Sequence, residues 1–267
     1  MQHAIVTGGS SGIGKAIAVL LAKEGVNISI IARRPEVLDI AKTEISAAAI
    51  HAEQQVHCYV ADVSVRAQIE TAIEQSIQSL GAPDLLITSA GIAHPGYFEE
   101  LPLEIFEKTM AVNYFGSLYA IKSALPAMQK KQQGRIVILS SGAALIGLYG
   151  YTAYGSSKFA LRGLAESLRG ELKCSGIGVS IVYPPDTDTP QLVAENLTKP
   201  EETKLITGSA KTWSAEAVAI EILTGIKRNN FVIAPGLEIK LLQVLHSLIA
   251  PILNWYFDKL VKKVRSH

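Results

Sequence analysis

A chain of 267 residues that is 48% hydrophobic and 18% charged is long enough to bury a full core and too apolar to be disordered. Its 25 Lys+Arg against 24 Asp+Glu leave a formal charge of +1, and no basic block in the first 230 residues offers an electrostatic footprint for nucleic acid. Cys58 and Cys174 lie far apart and the six histidines lack metal-ligand spacing, so the composition reads as two reduced thiols in the cytosol, with neither a disulfide framework nor a metal site.

The first apolar run, 4–6, begins three residues after Met1 and leads straight into a glycine cluster. The fold is therefore expected to start at the first residue, without a secretory leader. Further short runs at 28–31, 57–60, 85–88, 135–139, 178–183 and 230–234 mostly lack polar alternation, as expected of parallel strands covered on both faces. Amphipathic stretches at 15–24, 65–79, 103–130, 154–174 and 215–227 separate them and predict crossover helices. In 154–174, Phe159, Leu161, Leu164, Leu168 and Leu172 recur at mostly helical spacings while Lys158, Arg162, Glu166 and Arg169 interleave. The pattern predicts one α/β domain over 1–236, doubly wound on a parallel sheet of six or seven strands, followed by a hydrophobic and basic segment, 237–267.

Directly after the first strand stands Thr7-Gly8-Gly9-Ser10-Ser11-Gly12-Ile13-Gly14. A glycine-rich turn entering a helix lets backbone amides approach a pyrophosphate, which the helix N-terminus stabilises. The spacing differs from G-x-G-x-x-G, but its place in the first βαβ unit points to a dinucleotide held by Gly8, Ser10, Ser11, Gly12, Ile13 and Gly14. The second strand ends in Arg33-Arg34, where an NAD site usually carries an acidic residue for the ribose 2′-hydroxyl. A guanidinium there suits a 2′-phosphate, so the cofactor expected is NADPH, with Arg33 its main contact.

At Tyr154-Gly155-Ser156-Ser157-Lys158, together with the glycine turn, Asn113 and the Ser140-Ser141 pair, the chain resembles the short-chain dehydrogenase/reductase family over about residues 4–234, a fold of Rossmann type. Tyr154 and Lys158 are i and i+4 on one helix face, which places an ammonium near the phenol and is expected to lower its pKa for proton exchange with a carbinol. The resemblance implies that Lys158 also holds the nicotinamide ribose. It implies that Ser141, with Ser140 as alternate, polarises the substrate carbonyl, and that Asn113 orders a water in a proton relay to the lysine. It further assigns Asp62 and Val63 to the adenine and Ala90 and Gly91 to the cofactor shell. Ser89 replaces the usual asparagine before them.

Tyr183-Pro184-Pro185-Asp186-Thr187-Asp188-Thr189-Pro190 departs from the family's usual Pro-Gly after this strand, and Pro185 stiffens the loop. Pro184, Thr187 and Thr189 are expected beside the nicotinamide. This string, with 195–200, is similar to the branch of the family that reduces 3-ketosphinganine to sphinganine with NADPH in sphingolipid synthesis. Such a substrate joins an ammonium to a long alkyl chain, so Asp186 or Asp188 is a candidate partner for the charge; equally, each bonds its own turn. Two other readings stay open: a reductase of another hydrophobic ketone, such as a steroid or retinoid, and a non-catalytic NADPH-binding sensor.

The last segment, with Leu241, Leu248, Trp255 and Tyr256 ahead of Lys259, Lys262, Lys263 and Arg265, would span about 25 Å as a helix over 241–257, short of a bilayer core of roughly 30 Å. It reads as an interfacial anchor on the cytoplasmic side of a membrane or as a cover for the substrate mouth. Helices 103–130 and 154–174 resemble the pair through which the family often forms dimers or tetramers; equally, their surfaces read as ordinary solvent faces.

Overall fold

The structure, a computed structural model, describes residues 2–208 and 211–265. Its centre is a seven-stranded sheet in which every pairing is parallel. The strands are β1 (His3–Thr7), β2 (Asn27–Ala32), β3 (Val56–Val60), β4 (Leu85–Thr88), β5 (Gly134–Leu139), β6 (Ile177–Val182) and, past two short strands described below, β9 (Val232–Ile233). The order β3-β2-β1-β4-β5-β6-β9 reverses direction between β1 and β4. Ligands of open α/β sheets bind outside the carboxyl ends of the strands at such a reversal.

Side chains on successive strand residues point to opposite faces, and here both faces are covered. Ala4 and Val6 of β1 pack with Ile28, Ile30, Val137 and Val182 against α1 (Gly12–Ala22) and α2 (Pro35–Ala47) and, from late in the chain, α9 (Ala215–Lys227). Ile5 faces the other way, with Leu86, Ile136, Ile138 and Ile181, onto α3 (Arg66–Leu80), α5 (Gly116–Lys131) and α6 (Thr152–Glu171). This double covering is why the strands read as near-continuous apolar runs.

The helix expected over 103–130 is interrupted. It consists of α4 (Leu103–Met110), a π-turn at Ala111–Phe115 and α5, and the turn holds Asn113. Single π-turns inside α-helices recur at functional sites. After β6 the chain forms a parallel pair of two-residue strands, β7 (Thr187–Asp188) with β8 (Trp213–Ser214), and between them α7 (Pro190–Asn196) and α8 (Glu201–Thr207). Last comes α10 (Leu237–Arg265), one helix that runs through Pro251. Its 29 residues measure about 44 Å, longer than the 25 Å expected from its apolar stretch alone.

Candidate active site

A cavity of about 890 Å³ runs along the carboxyl ends of β1, β4, β5 and β6. One end is walled by the glycine turn and the end of β2, the middle by Tyr154 and Lys158 of α6, and the far end by α7 and α10.

The glycine turn is built for backbone approach. Gly8 has φ +70° and a Cβ there would lie 2.7 Å from the Ala90 nitrogen. A Cβ on Gly14 would lie 2.5 Å from the Gly8 oxygen, so the start of α1 packs directly on the turn. Ser11 is the N-cap of α1, yet its side chain makes no cap hydrogen bond, and the first turn holds no acidic residue. The positive end of the helix and a hydroxyl thus remain free for an anionic ligand. Gly8, Ser10, Ser11, Gly12, Ile13, Arg33, Val63, Ala90 and Gly91 all line the cavity. Gly14 and Asp62 stand behind its wall. Asp62 accepts from the Ser64 hydroxyl at 2.6 Å and its amide at 2.9 Å, and sits 3.7 Å from Arg33 Nη1. Burial works to raise the Asp62 carboxyl, but these partners outweigh it and hold it below the usual range.

Around Tyr154 the expected residues converge. Lys158 Nζ lies 5.5 Å from the Tyr154 ring centroid and donates to the Leu139 carbonyl at 3.0 Å. Both side chains are buried. The expected lowering of the phenol does not appear: burial first, then the Glu195 carboxylate, push Tyr154 up, against the opposing pull of the Ser141 and Gln191 side chains. Burial also pulls Lys158 down to about 8, with Glu195 opposing. Desolvation outweighs the cation that the i,i+4 spacing places nearby.

The two serines divide. Ser140 Oγ donates to the Lys158 carbonyl at 3.0 Å, fixing α6 to the end of β5, so this hydroxyl is committed to the fold. Ser141 Oγ accepts from the Ala143 amide at 3.1 Å and keeps its own proton for the cavity. Asn113 is fully buried, and its side chain is fully engaged: Oδ1 accepts from the Ile92 amide at 2.8 Å, while Nδ2 donates to the Ile92 carbonyl at 3.0 Å and to Ser157 Oγ at 2.9 Å. Its carbonyl accepts from Ser117 at 2.8 Å. This side-chain amide clamps the loop after β4 to α6.

In the loop after β6, Pro184, Pro185, Asp186, Thr187 and Thr189 line the cavity. Thr187 donates to the Pro185 carbonyl at 2.8 Å, and Thr189 caps α7 by accepting from the Leu192 amide at 3.3 Å. Asp188 is exposed and off the cavity wall. The sequence reading missed Tyr151, Gln191 and Glu195, which close the far end. Tyr151 donates to Glu195 Oε2 and Gln191 Nε2 to Glu195 Oε1, both at 2.8 Å. The i,i+4 spacing of Gln191 and Glu195 after a helix-starting Pro190 was the available signal.

Over this end lies α10. Leu242, Ile249, Leu253 and Phe257, spaced to share one helical face, line the cavity, while Val244, Leu248, Ile252, Trp255 and Tyr256 face outward and are exposed. Arg265, at the helix end, donates to Glu202 at 3.3 Å and to the Tyr149 hydroxyl at 2.8 Å, tying α10 to α8. The C-terminal segment therefore covers the far end of the cavity and also presents an apolar surface. It is long and apolar enough to cross a membrane by length and composition.

The short chain dehydrogenase model matches residues 2–200. The chain is 43% identical over 251 residues to the 3-ketodihydrosphingosine reductase of Bos taurus, covering 94% of this chain and 76% of that one. It is 43% identical over 277 residues to the 3-ketodihydrosphingosine reductase of Dictyostelium discoideum, covering 98% and 83%. The solved structure of levodione reductase superposes with a TM-score of 0.79 at 25% identity, covering 87% of this chain and 95% of that one. With its glycine cradle, buried Tyr154 and Lys158 pair and family match over most of its length, the chain belongs to the short-chain dehydrogenase family, oxidoreductases that act on a ketone with a nicotinamide cofactor.

Proposed function

We propose that the chain reduces 3-ketosphinganine (3-ketodihydrosphingosine) to sphinganine with NADPH in sphingolipid synthesis. What supports this most directly is the identity of 43% over nearly the whole chain to reductases of that name. The site supports it chemically: Tyr154, Lys158 and Ser141 share one cavity whose far end is roofed by apolar side chains of α10, as a long-chain ketone requires.

The cradle at Gly8–Gly14 fits the pyrophosphate of a dinucleotide, and Arg33, on the cavity wall at the end of β2, is the residue that would hold a 2′-phosphate. Bound there, the cofactor supplies the hydride for the carbonyl carbon. Ser141 donates a hydrogen bond to the carbonyl oxygen and polarises it. Tyr154 gives its proton to the same oxygen, so C=O becomes CH–OH. The upward push on the phenol suits this direction of reaction, because a proton donor must be protonated at working pH. Lys158, at about 8, is poised to return a proton to the phenolate and to hold the nicotinamide ribose. Asn113 positions the Ile92 loop beside them.

The outer face of α10 rests on the cytoplasmic surface of a membrane, from which a lipid ketone reaches the cavity. NADPH oxidation by the full-length protein in liposomes tests the reading, comparing 3-ketosphinganine with a plain long-chain ketone and a ketosteroid. Turnover that favours the amino-ketone and collapses in Tyr154→Phe supports it. Preference for the ketosteroid, or cofactor binding without turnover of any ketone, would overturn it.

A further inference from the structure

Glu195 is a buried charge to which the chemistry above gives no contact with the substrate. Its side chain belongs to α7 and the residue is 7% exposed. A carboxylate offers about four lone-pair sites, and Tyr151 and Gln191 fill one on each oxygen. Among the described residues no lysine or arginine forms an ion pair with it within 4.0 Å. Burying a carboxylate without a counter-charge in contact is costly, and this one faces the cavity.

Its position relative to the reacting groups is specific. The Gln191 side chain that donates to Glu195 lines the same cavity as the Tyr154 phenol and is close enough to act on it, so one amide lies between carboxylate and proton donor. Tyr151, the other donor, has its ring centroid 5.6 Å from that of Tyr154. Lys158 directs its ammonium to the Leu139 carbonyl instead. The negative charge at Glu195 opposes the phenolate that forms when Tyr154 gives up its proton. A neutral ketone leaves that opposition in place, whereas a cation seated between the two removes it.

We propose that Glu195 is the ammonium-binding residue of this cavity and selects ketones with a primary ammonium on the adjacent carbon. Carbonyl and ammonium on neighbouring carbons match a phenol and a carboxylate separated by one amide. The assignment rests on the proposed substrate class and supplies its specificity determinant. It displaces Asp188, which is exposed, and Asp186, which lines the cavity but is less buried than Glu195 and acts less on the Tyr154 phenol.

The test is equilibrium binding to the full-length protein with NADPH present. The probes are a ten-carbon 2-amino-1,3-diol, below its micellar concentration, and the 1,2,3-triol in which a hydroxyl replaces the ammonium. A charged hydrogen bond in a buried site predicts that the amine binds about 10- to 100-fold more tightly than the triol. Glu195→Gln is expected to bring the ratio within about threefold of one, Glu195→Asp to retain part of it, and Asp186→Asn to leave the preference standing. A wild-type ratio near one overturns the proposal, as does a ratio unchanged in Glu195→Gln or abolished instead in Asp186→Asn. Reduction of 3-ketosphinganine with Tyr154 required but Glu195 indifferent would sink this inference alone. Amine binding that needs Glu195, in a protein that reduces no amino-ketone, would sink the proposed reaction and leave the site.

Discussion

Replacing Arg33 by alanine tests the cofactor assignment at the point where charge makes it. The guanidinium stands at the end of β2 with its side chain 51% exposed and Nη1 3.7 Å from Asp62 Oδ2. A hydrogen bond between charged groups contributes about 1.5–3 kcal/mol. Half exposure and the competing Asp62 charge move this to the lower part of the range, about 1–2 kcal/mol. The ratio of kcat/KM for NADPH to that for NADH should therefore fall about 5- to 30-fold in Arg33→Ala. Most of the loss should appear on the NADPH side, because no 2′-phosphate exists on NADH for Arg33 to hold. The effect should shrink as salt is raised from 0.05 to about 0.5 M, since the pair is open to counter-ions. Asp62→Asn, which removes a negative charge beside the same phosphate, should raise the ratio. Initial rates with each cofactor at fixed ketone decide the matter. A ratio that stays within about twofold of wild type refutes the assignment. An equal loss with both cofactors would place Arg33 on a group they share, and a collapse in Arg34→Ala alone would show that the neighbouring side chain was the reader.

Three further outcomes are expected. Gly14→Ala should abolish cofactor binding and lower stability by about 1–3 kcal/mol through overpacking, because its Cβ would lie 2.5 Å from the Gly8 oxygen; a cofactor titration and a urea melt read both. Lys158 is buried with its pKa lowered to about 8. The unfolded chain therefore holds that proton to higher pH than the folded one, so stability rises with pH between about 8 and 10. Relative to Lys158→Met, wild type should gain about 2 kcal/mol between pH 7 and 9.5, and parallel urea midpoints across that range would contradict it. Leu248→Glu with Trp255→Glu, 75% and 59% exposed on the outer face of α10, should release the protein from anionic vesicles in flotation; undiminished binding would move the membrane contact elsewhere.

Much of the sheet was legible because both of its faces are buried. Residues 28–31 and 135–139 read as strands for the same reason that Ile28, Ile30, Ile136 and Ile138 are fully buried. The missed helices fail that rule in different ways. In α2 the stripe of Leu38, Ala41 and Ile45 follows Pro35 at the first helical position, a readable start that was passed over. Helices α7 and α8 instead bury Glu195, Glu202 and Thr203, so no apolar period marks them. The catalytic helix was legible from Tyr154 and Lys158 at i and i+4, but the sign of the phenol's shift was not. It depends on burial and on Glu195, which the chain returns to Tyr154 only after the rest of α6, β6 and β7. The preference for Ser141 over Ser140 was legible from its spacing to Tyr154, whereas the bond that turns the Ser140 hydroxyl to the Lys158 carbonyl depends on the register of α6 on β5.

Helix α10 is at once the roof over the far end of the cavity and an outward row of leucine and aromatic side chains. Under the proposed membrane contact, substrate and enzyme meet in two dimensions. The quantity that sets the rate is then the mole fraction of ketone in the bilayer rather than its amount per volume of assay. Adding inert phospholipid at constant total substrate should slow the reaction by surface dilution, while diluting the whole suspension with buffer should leave the rate per enzyme almost unchanged. The tie from Arg265 to Glu202 and Tyr149 gives the roof a fixed far end, so substrate entry calls for bending near Pro251 more readily than for lifting the helix as a rod.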